Sequence, residues 1–113
     1  MIKDKNIHFD HIFSCFYNIK DFVKDTNNFE EFEKDIKTIR AVERELETMT
    51  HSIKDLWDEV YKISHSIDWK AIAWMRDILA HHYLVLADSI IWDIVINKLP
   101  ELEEVFKKYL NLK

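Results

Sequence analysis

The sequence predicts an all-α fold, an up-and-down bundle of four to five helices. Three observations carry that prediction. Glycine is absent and Pro100 is the only proline, whereas average usage of ~7% would supply about eight glycines at this length. Hairpins and bulges draw on glycine for positive φ, so no strand is expected. Apolar residues recur at three- and four-residue steps along most of the chain. The hydrophobic fraction of 48%, with seven Phe and four Trp beside 33% charged residues, is that of a folding chain. Residues 1–113 read as one domain.

Taken in order, residues 1–7 form a polar leader. Phe9, Ile12, Phe13, Phe16, Ile19 and Val23 then share one face of a helix over residues 8–25. Asp25 to Asn28 form a polar break, and Asn28 can cap a new helix with Glu31 at the third position of a capping box. Phe29, Phe32, Ile36, Ile39, Val42, Leu46, Met49 and Ile53 continue at near-heptad steps, predicting one long helix that packs on an antiparallel neighbour. A break is expected near Thr50 to Ser52, before Leu56, Trp57, Val60, Tyr61 and Ile63. Ser64 to Asp68 reads as a connector, with Asp68 capping a helix that starts at Trp69. The helical signal weakens after Tyr83. Asp88 reads as the cap of a helix carrying Ile91, Ile94 and Val95, which Pro100 should end or kink, and Leu102, Phe106, Tyr109 and Leu110 form the last apolar face.

Composition also narrows function. Cys15 is the only cysteine, which excludes an internal disulfide, and no apolar run approaches the ~20 residues of a membrane span. A reducing cytoplasm is expected. The formal net charge of −5 argues against a broad grip on nucleic acid, so any such contact must be local.

The stretch from Trp69 to Leu102 holds the chemistry. With Arg76 as reference and 100° per residue, Trp69, Ala73, Ala80 and Tyr83 lie within about 60° of it, so its guanidinium should sit on an accessible face with small neighbours. Ile72, Met75 and Leu79 lie to one side, where they can bury. His81 falls about 140° away and about 7.5 Å along the axis. On one undisturbed helix the two cannot reach the same phosphate. Either the helix unwinds near Ala80 to Tyr83, or two chains pair about a twofold axis and share a cleft. Arginine supplies a fixed fork of donors for phosphate, and histidine moves protons at neutral pH, so the pair suits phosphoester chemistry without a metal. The same residues also suit structural roles: a histidine at a helix C-terminus, a carboxylate-paired arginine, a tyrosine at a bundle edge.

The run Met75-Arg76-Asp77-Ile78-Leu79-Ala80-His81-His82-Tyr83, preceded by Trp69 and followed by Ile91-Trp92-Asp93-Ile94-Val95 and Leu99-Pro100-Glu101-Leu102, resembles the HEPN superfamily and its HepT-like toxin branch. Arg76, His81 and Tyr83 match that branch's R-x4-H-x-Y motif, and Ile19 to Phe32 and Ala41 to Glu47 extend the likeness over nearly the whole chain. The resemblance implies a HEPN-like helical bundle working as a symmetric homodimer. It implies a metal-independent endoribonuclease, the toxin of a toxin–antitoxin pair, with Arg76 and His81 catalytic and no cofactor. It further implies an antitoxin like a minimal nucleotidyltransferase that silences the toxin by transferring AMP to Tyr83, where bulk and negative charge would occlude the RNA site. Two positions depart from the branch: Asp77 stands where Asn is usual, and Thr50-His51-Ser52 aligns with its usual Gly-Glu-Ala. These departures leave a second reading, a catalytically inactive subunit that binds a nucleotidyltransferase or a nucleotide.

Other residues are weaker candidates. Asp77 and His82 flank the motif residues as substrate contacts. His8 and His11 have a spacing that can hold a metal, although first-turn polar residues usually serve the helix end. Trp57, Trp69, Trp74 and Trp92 can stack on bases but sit in amphipathic stretches suited to packing. Cys15 reads as a small buried hydrophobe. Lys70, Arg76, Lys98, Lys107 and Lys108 suggest a basic zone late in the chain, opposite the glutamates of the second helix.

Overall fold

A computed structural model describes residues 5–64, 66–81 and 86–111. Its helices are α1 (Lys5–Val23), α2 (Phe29–Lys34), α3 (Ile36–Asp55), α4 (Trp57–Ile63), α5 (Trp69–Ala80), α6 (Asp88–Asp93) and α7 (Leu99–Tyr109), with a π-helical turn, Ile94–Lys98, joining α6 to α7. No strand occurs among the described residues. Their seven α-helical segments exceed the four or five expected because local interruptions divide two long helical stretches.

The first interruption is at Asp35. The apolar stripe predicts one helix from Phe29 onward, but Asp35 closes α2, its N–H donating to the Phe32 carbonyl, and opens α3. Its carboxylate accepts from the Thr38 backbone N–H at 3.1 Å and from the Thr38 hydroxyl at 2.7 Å. An Asp followed at i+3 by Thr therefore restarts the helix. The Asn28 cap forms as expected: its side chain accepts from the Glu31 N–H at 2.9 Å, while Glu31 reaches back to the Asn27 N–H at 3.0 Å.

The break expected near Thr50 to Ser52 is absent, and α3 runs through it to Asp55. Thr50 is buried within the helix, and its hydroxyl is satisfied by donating back to the Glu47 carbonyl at 2.9 Å. The joint falls instead at Leu56, with φ −102° and ψ 16°. Asp68 caps α5 as expected, accepting from the Ala71 N–H at 3.0 Å. Ala87, not Asp88, occupies the cap position of α6; Asp88 lies in the first turn, where its charge favours the helix dipole.

Pro100 does not end the helical stretch that carries Ile91, Ile94 and Val95, which continues through the π-helical turn into α7. It lies in the first turn of α7, directly after the π-helical turn, in which the Leu99 N–H bonds the Ile94 carbonyl five residues back. A proline has no N–H to donate and crowds the carbonyl four residues earlier; the widened turn before it relieves both constraints while the chain remains helical.

Cross-helix pairs fix the packing. Going along α1, Lys5 pairs with Glu59, His8 with Asp55, Cys15 with Thr48 and Asn18 with Glu45, so α1 runs antiparallel to α3 and α4. Against α7, Phe9 meets Tyr109, Phe16 meets Phe106 and Lys20 meets Glu103, another antiparallel pairing. The up-and-down arrangement thus holds for these elements. Phe106 is fully buried and lies 5.8 Å from Phe9, 6.5 Å from Phe16 and 6.1 Å from Trp69, ring centre to ring centre. No described helix is long and apolar enough to cross a membrane.

At the outer end of α1, Glu59 accepts from Lys5 and from the Tyr109 hydroxyl, and these two bonds hold its carboxyl below the usual 4.5. The hydrogen bond to Glu59 raises Tyr109 above its usual 10.0. A lowered carboxylate stabilises the fold fully above 4.5 and ceases to do so as pH falls through the lowered value; a raised phenol does so below 10.0 and ceases as pH rises through the raised value. The cluster is therefore complete between those limits.

Two measurements check this packing. Phe106→Ala should lower unfolding free energy by about 3–5 kcal/mol in urea titration, since it removes a ring that contacts three others; a loss below about 1 kcal/mol would contradict the central place given to this ring. Wild type should lose stability on acidification below 4.5 more steeply than Glu59→Gln. Parallel acid profiles for the two proteins would remove Glu59 from the account.

Candidate functional site

Helix α5 is positioned from its first residue. Trp69 is buried, its indole N–H donates to the Ser64 carbonyl at 3.0 Å, and its ring packs near Phe106. Met75 is buried, and Ile72, Ile78 and Leu79 pack against the core. This lays α5 across α3.

Between them lies a cavity of about 320 Å³ lined by Thr50 and Lys54 of α3, Trp57 of α4, and Ile72, Ala73, Arg76 and Asp77 of α5. Thr50, Lys54 and Trp57 stand at i, i+4 and i+7, one helical face, and the α5 residues form the opposing face. The Arg76 side chain is only 22% exposed, less open than its alanine neighbours led one to expect. Packing of α3 across α5, with Trp57 of α4 beside the cavity, accounts for the difference.

Arg76 Nη1 donates to Asp77 Oδ1 at 2.9 Å, and the Asp77 side chain remains 65% exposed. Arg76 Nε is buried and donates to no acceptor among the described residues. An unsatisfied buried donor is costly, all the more on a charged group. Nε and Nη2 form the other donor edge of the guanidinium, an edge that can give one oxyanion two parallel hydrogen bonds.

His81 is exposed and lies where α5 stops. Its backbone is extended, with φ −101° and ψ 102°, and its N–H bonds the Ile78 carbonyl at 3.2 Å. The helix ends at this point, but the His81 dihedrals redirect the chain that follows, and His81 is not among the residues that line the cavity beside Arg76. His82 and Tyr83 lie outside the described residues, so the placement of the proposed modification site is not described. Arg76 and Asp77 are brought together at the cavity wall; His51 is exposed on α3.

The remaining candidates find other partners. His8 Nδ1 is 3.9 Å from Asp55 Oδ2, and His11 Nε2 is 3.6 Å from Cys15 Sγ, so the two imidazoles do not share a partner in these contacts. Among the described residues no three His, Cys, Asp or Glu side chains gather as a metal-ligand set. Cys15 is buried, and burial pushes its thiol above the usual 9.0. Trp92 packs 4.9 Å from Phe32, whereas Trp74 is 52% exposed beside a separate, largely apolar cavity of about 310 Å³.

Lys54 escaped the sequence reading. The late basic zone contributes only Arg76 to this cavity, and the second cation comes from the glutamate-rich long helix. The signal that could have found it is its i+4 and i−3 relation to Thr50 and Trp57, legible only once the facing helix is known.

The family model for HepT-like ribonucleases matches residues 12–109. A protein of Methanocaldococcus jannaschii that bears the provisional name of an RNase is 41% identical over 96 residues, covering 80% of this chain and 79% of that protein. Another with the same provisional name, from Caldanaerobacter subterraneus subsp. tengcongensis, is 39% identical over 59 residues, covering 52% of this chain and 53% of that protein. No solved structure matches the chain significantly. With a match across most of its length, the chain belongs to the HepT-like ribonuclease family.

Proposed function

We propose that the protein is a metal-independent endoribonuclease, the toxin of a toxin–antitoxin pair, with Arg76 binding the scissile phosphate and His81 moving the proton. The observation that carries this reading is the buried Arg76 Nε without an acceptor on the wall of a cavity. A phosphate oxygen would satisfy it. In the proposed reaction His81 takes the proton of the RNA 2′-hydroxyl and the 2′-oxygen attacks phosphorus. Arg76 offsets the charge that builds on the non-bridging oxygens, and the bond to the 5′-oxygen breaks. The leaving oxygen needs a proton, and the same motif from a second copy in a symmetric dimer would supply it. The products are a 2′,3′-cyclic phosphate and a 5′-hydroxyl. AMP transfer to Tyr83 by a nucleotidyltransferase antitoxin would silence the enzyme by placing a second phosphate where RNA phosphate binds.

One observation favours a second reading. The Asp77 carboxylate occupies Arg76 Nη1 and adds negative charge where an anion must approach. That suits a subunit that holds a nucleotide, or docks a nucleotidyltransferase, without cutting RNA.

Incubation with RNA in excess EDTA separates the two. Wild type should cleave, and His81→Ala should be slower by about 10²–10⁴-fold, the usual loss for a general acid or base. Equal inertness of both proteins would hand the case to the nucleotide-holding reading. Asp77→Asn keeps a polar side chain and removes the charge, so RNA affinity should rise severalfold and depend more steeply on salt. Unchanged or weaker binding would show that Asp77 does not oppose the substrate.

A further inference from the structure

Lys54 and Trp57 face Arg76 across the cavity, on helices that the motif does not include. On α3 the two arginines are paired, Arg40 Nη1 2.7 Å from Glu43 and Arg44 Nη1 3.6 Å from Glu47, each at i+3, whereas neither lysine, Lys37 or Lys54, makes an ion pair among the described residues. Lys54 has Trp57 at i+3. In a chain of net charge −5, Lys54 and Arg76 outnumber the one carboxylate of this cavity, Asp77, and leave a locally positive lining in a molecule that as a whole would repel an anion. The Trp57 ring forms part of the wall, half-buried and braced edge-on by Tyr61 at 4.8 Å. An aromatic ring, a lysine and an arginine whose Nε lacks an acceptor, lining about 320 Å³, match the parts of a nucleotide.

We infer that this cavity is a nucleotide subsite for single-stranded RNA, in which Lys54 binds a phosphate adjacent to the one held by Arg76 and Trp57 packs against a base. The inference rests on the ribonuclease reading for its substrate and adds residues that the motif leaves out. The α3 and α4 face thereby serves as the substrate-holding wall, opposite the α5 face that carries Arg76. Because stacking tolerates any base, the wall fixes where the strand lies more than which sequence is cut.

The test is binding of a fluorescent oligoribonucleotide made uncleavable by 2′-deoxy substitution, followed by anisotropy across a salt series. The proteins are wild type, Lys54→Ala, Lys54→Arg, Trp57→Leu and Trp57→Phe, each with its thermal midpoint recorded. Lys54→Ala should weaken binding and reduce the slope of log K against log salt by about 0.7, the value for one phosphate contact on a single strand. Lys54→Arg should restore the slope. Trp57→Leu should weaken binding about tenfold with the slope unchanged, and Trp57→Phe should recover most of it. On a cleavable strand, both losses should appear in KM, with kcat kept within about threefold.

If wild type cleaves RNA but Lys54→Ala and Trp57→Leu bind like wild type, the subsite is wrong and the ribonuclease reading stands. If wild type binds through these two residues without cleaving, the subsite stands and the ribonuclease reading falls. Failure of wild type to bind at all removes both. Losses that follow the thermal midpoint, leave the salt slope untouched and are not rescued by Arg or Phe would reduce Lys54 and Trp57 to packing.

Discussion

The burial of Phe106 underlies the placement of everything else. Its ring meets Phe9 and Phe16 of α1 and Trp69 of α5, so one side chain of α7 joins the first helix to the first residue of the motif helix. Trp69 is further tied by its indole N–H to the Ser64 carbonyl. With that end fixed, α5 has little choice but to lie across α3, and the space left between the two helices is the cavity beside Arg76. Aromatic packing of this kind is dominated by buried area, with edge-to-face geometry adding to it. The site is thus a consequence of core packing at the far end of α5, although no core residue need touch a substrate.

The helix ends depend on smaller forces, and those govern where the bundle bends. Asp35 interrupts an apolar stripe that could have run on unbroken, because two hydrogen bonds to Thr38 stabilise a fresh N-terminus. The π-helical turn keeps α6 and α7 joined through Pro100, where a regular α-helix would lose a hydrogen bond and suffer a steric clash. At the joint between α3 and α4, Lys54 and Trp57 keep the spacing of one helical face. Each interruption is local, but each sets the direction of the segment that follows.

These features differ in how plainly the sequence states them. The missing glycines and the three-four periodicity are summed over many residues, so the all-helical class and most of the apolar faces of α1, α3 and α7 were legible, although Ile36 and Tyr109, placed on those faces by their spacing, are exposed. Single caps were legible where the polar residue followed a break, as at Asn28 and Asp68. Asp35 was hidden because the apolar period continues across it, and Thr50 misled because its hydroxyl satisfies itself inside the helix. At the site, the spacing of Arg76 and His81 was visible along one helix, and an end of that helix near Ala80 was one of two arrangements left open, the other being a pair of chains. Lys54 was not visible, since its relevance comes from a contact between helices rather than from a pattern within one.

Arg76 is also where folding and function compete most directly. Covering α5 with α3 takes the Nε proton out of water and leaves it without an acceptor among the described residues, which a fold selected for stability alone would avoid. Asp77 relieves only part of this, because it engages Nη1 and remains largely exposed. A pair so open to solvent contributes little to stability, but it does hold the guanidinium plane. The same contact therefore orients the fork and places a negative charge beside it. For an anionic ligand these effects have opposite signs: orientation lowers the entropy lost on binding, while the carboxylate repels the incoming charge. Repulsion at an exposed carboxylate is screened by salt and water, whereas orientation and the unsatisfied Nε belong to the buried side of the residue and are not. On that balance the buried edge of Arg76 outweighs the exposed carboxylate, which is the premise on which the proposed anion site rests.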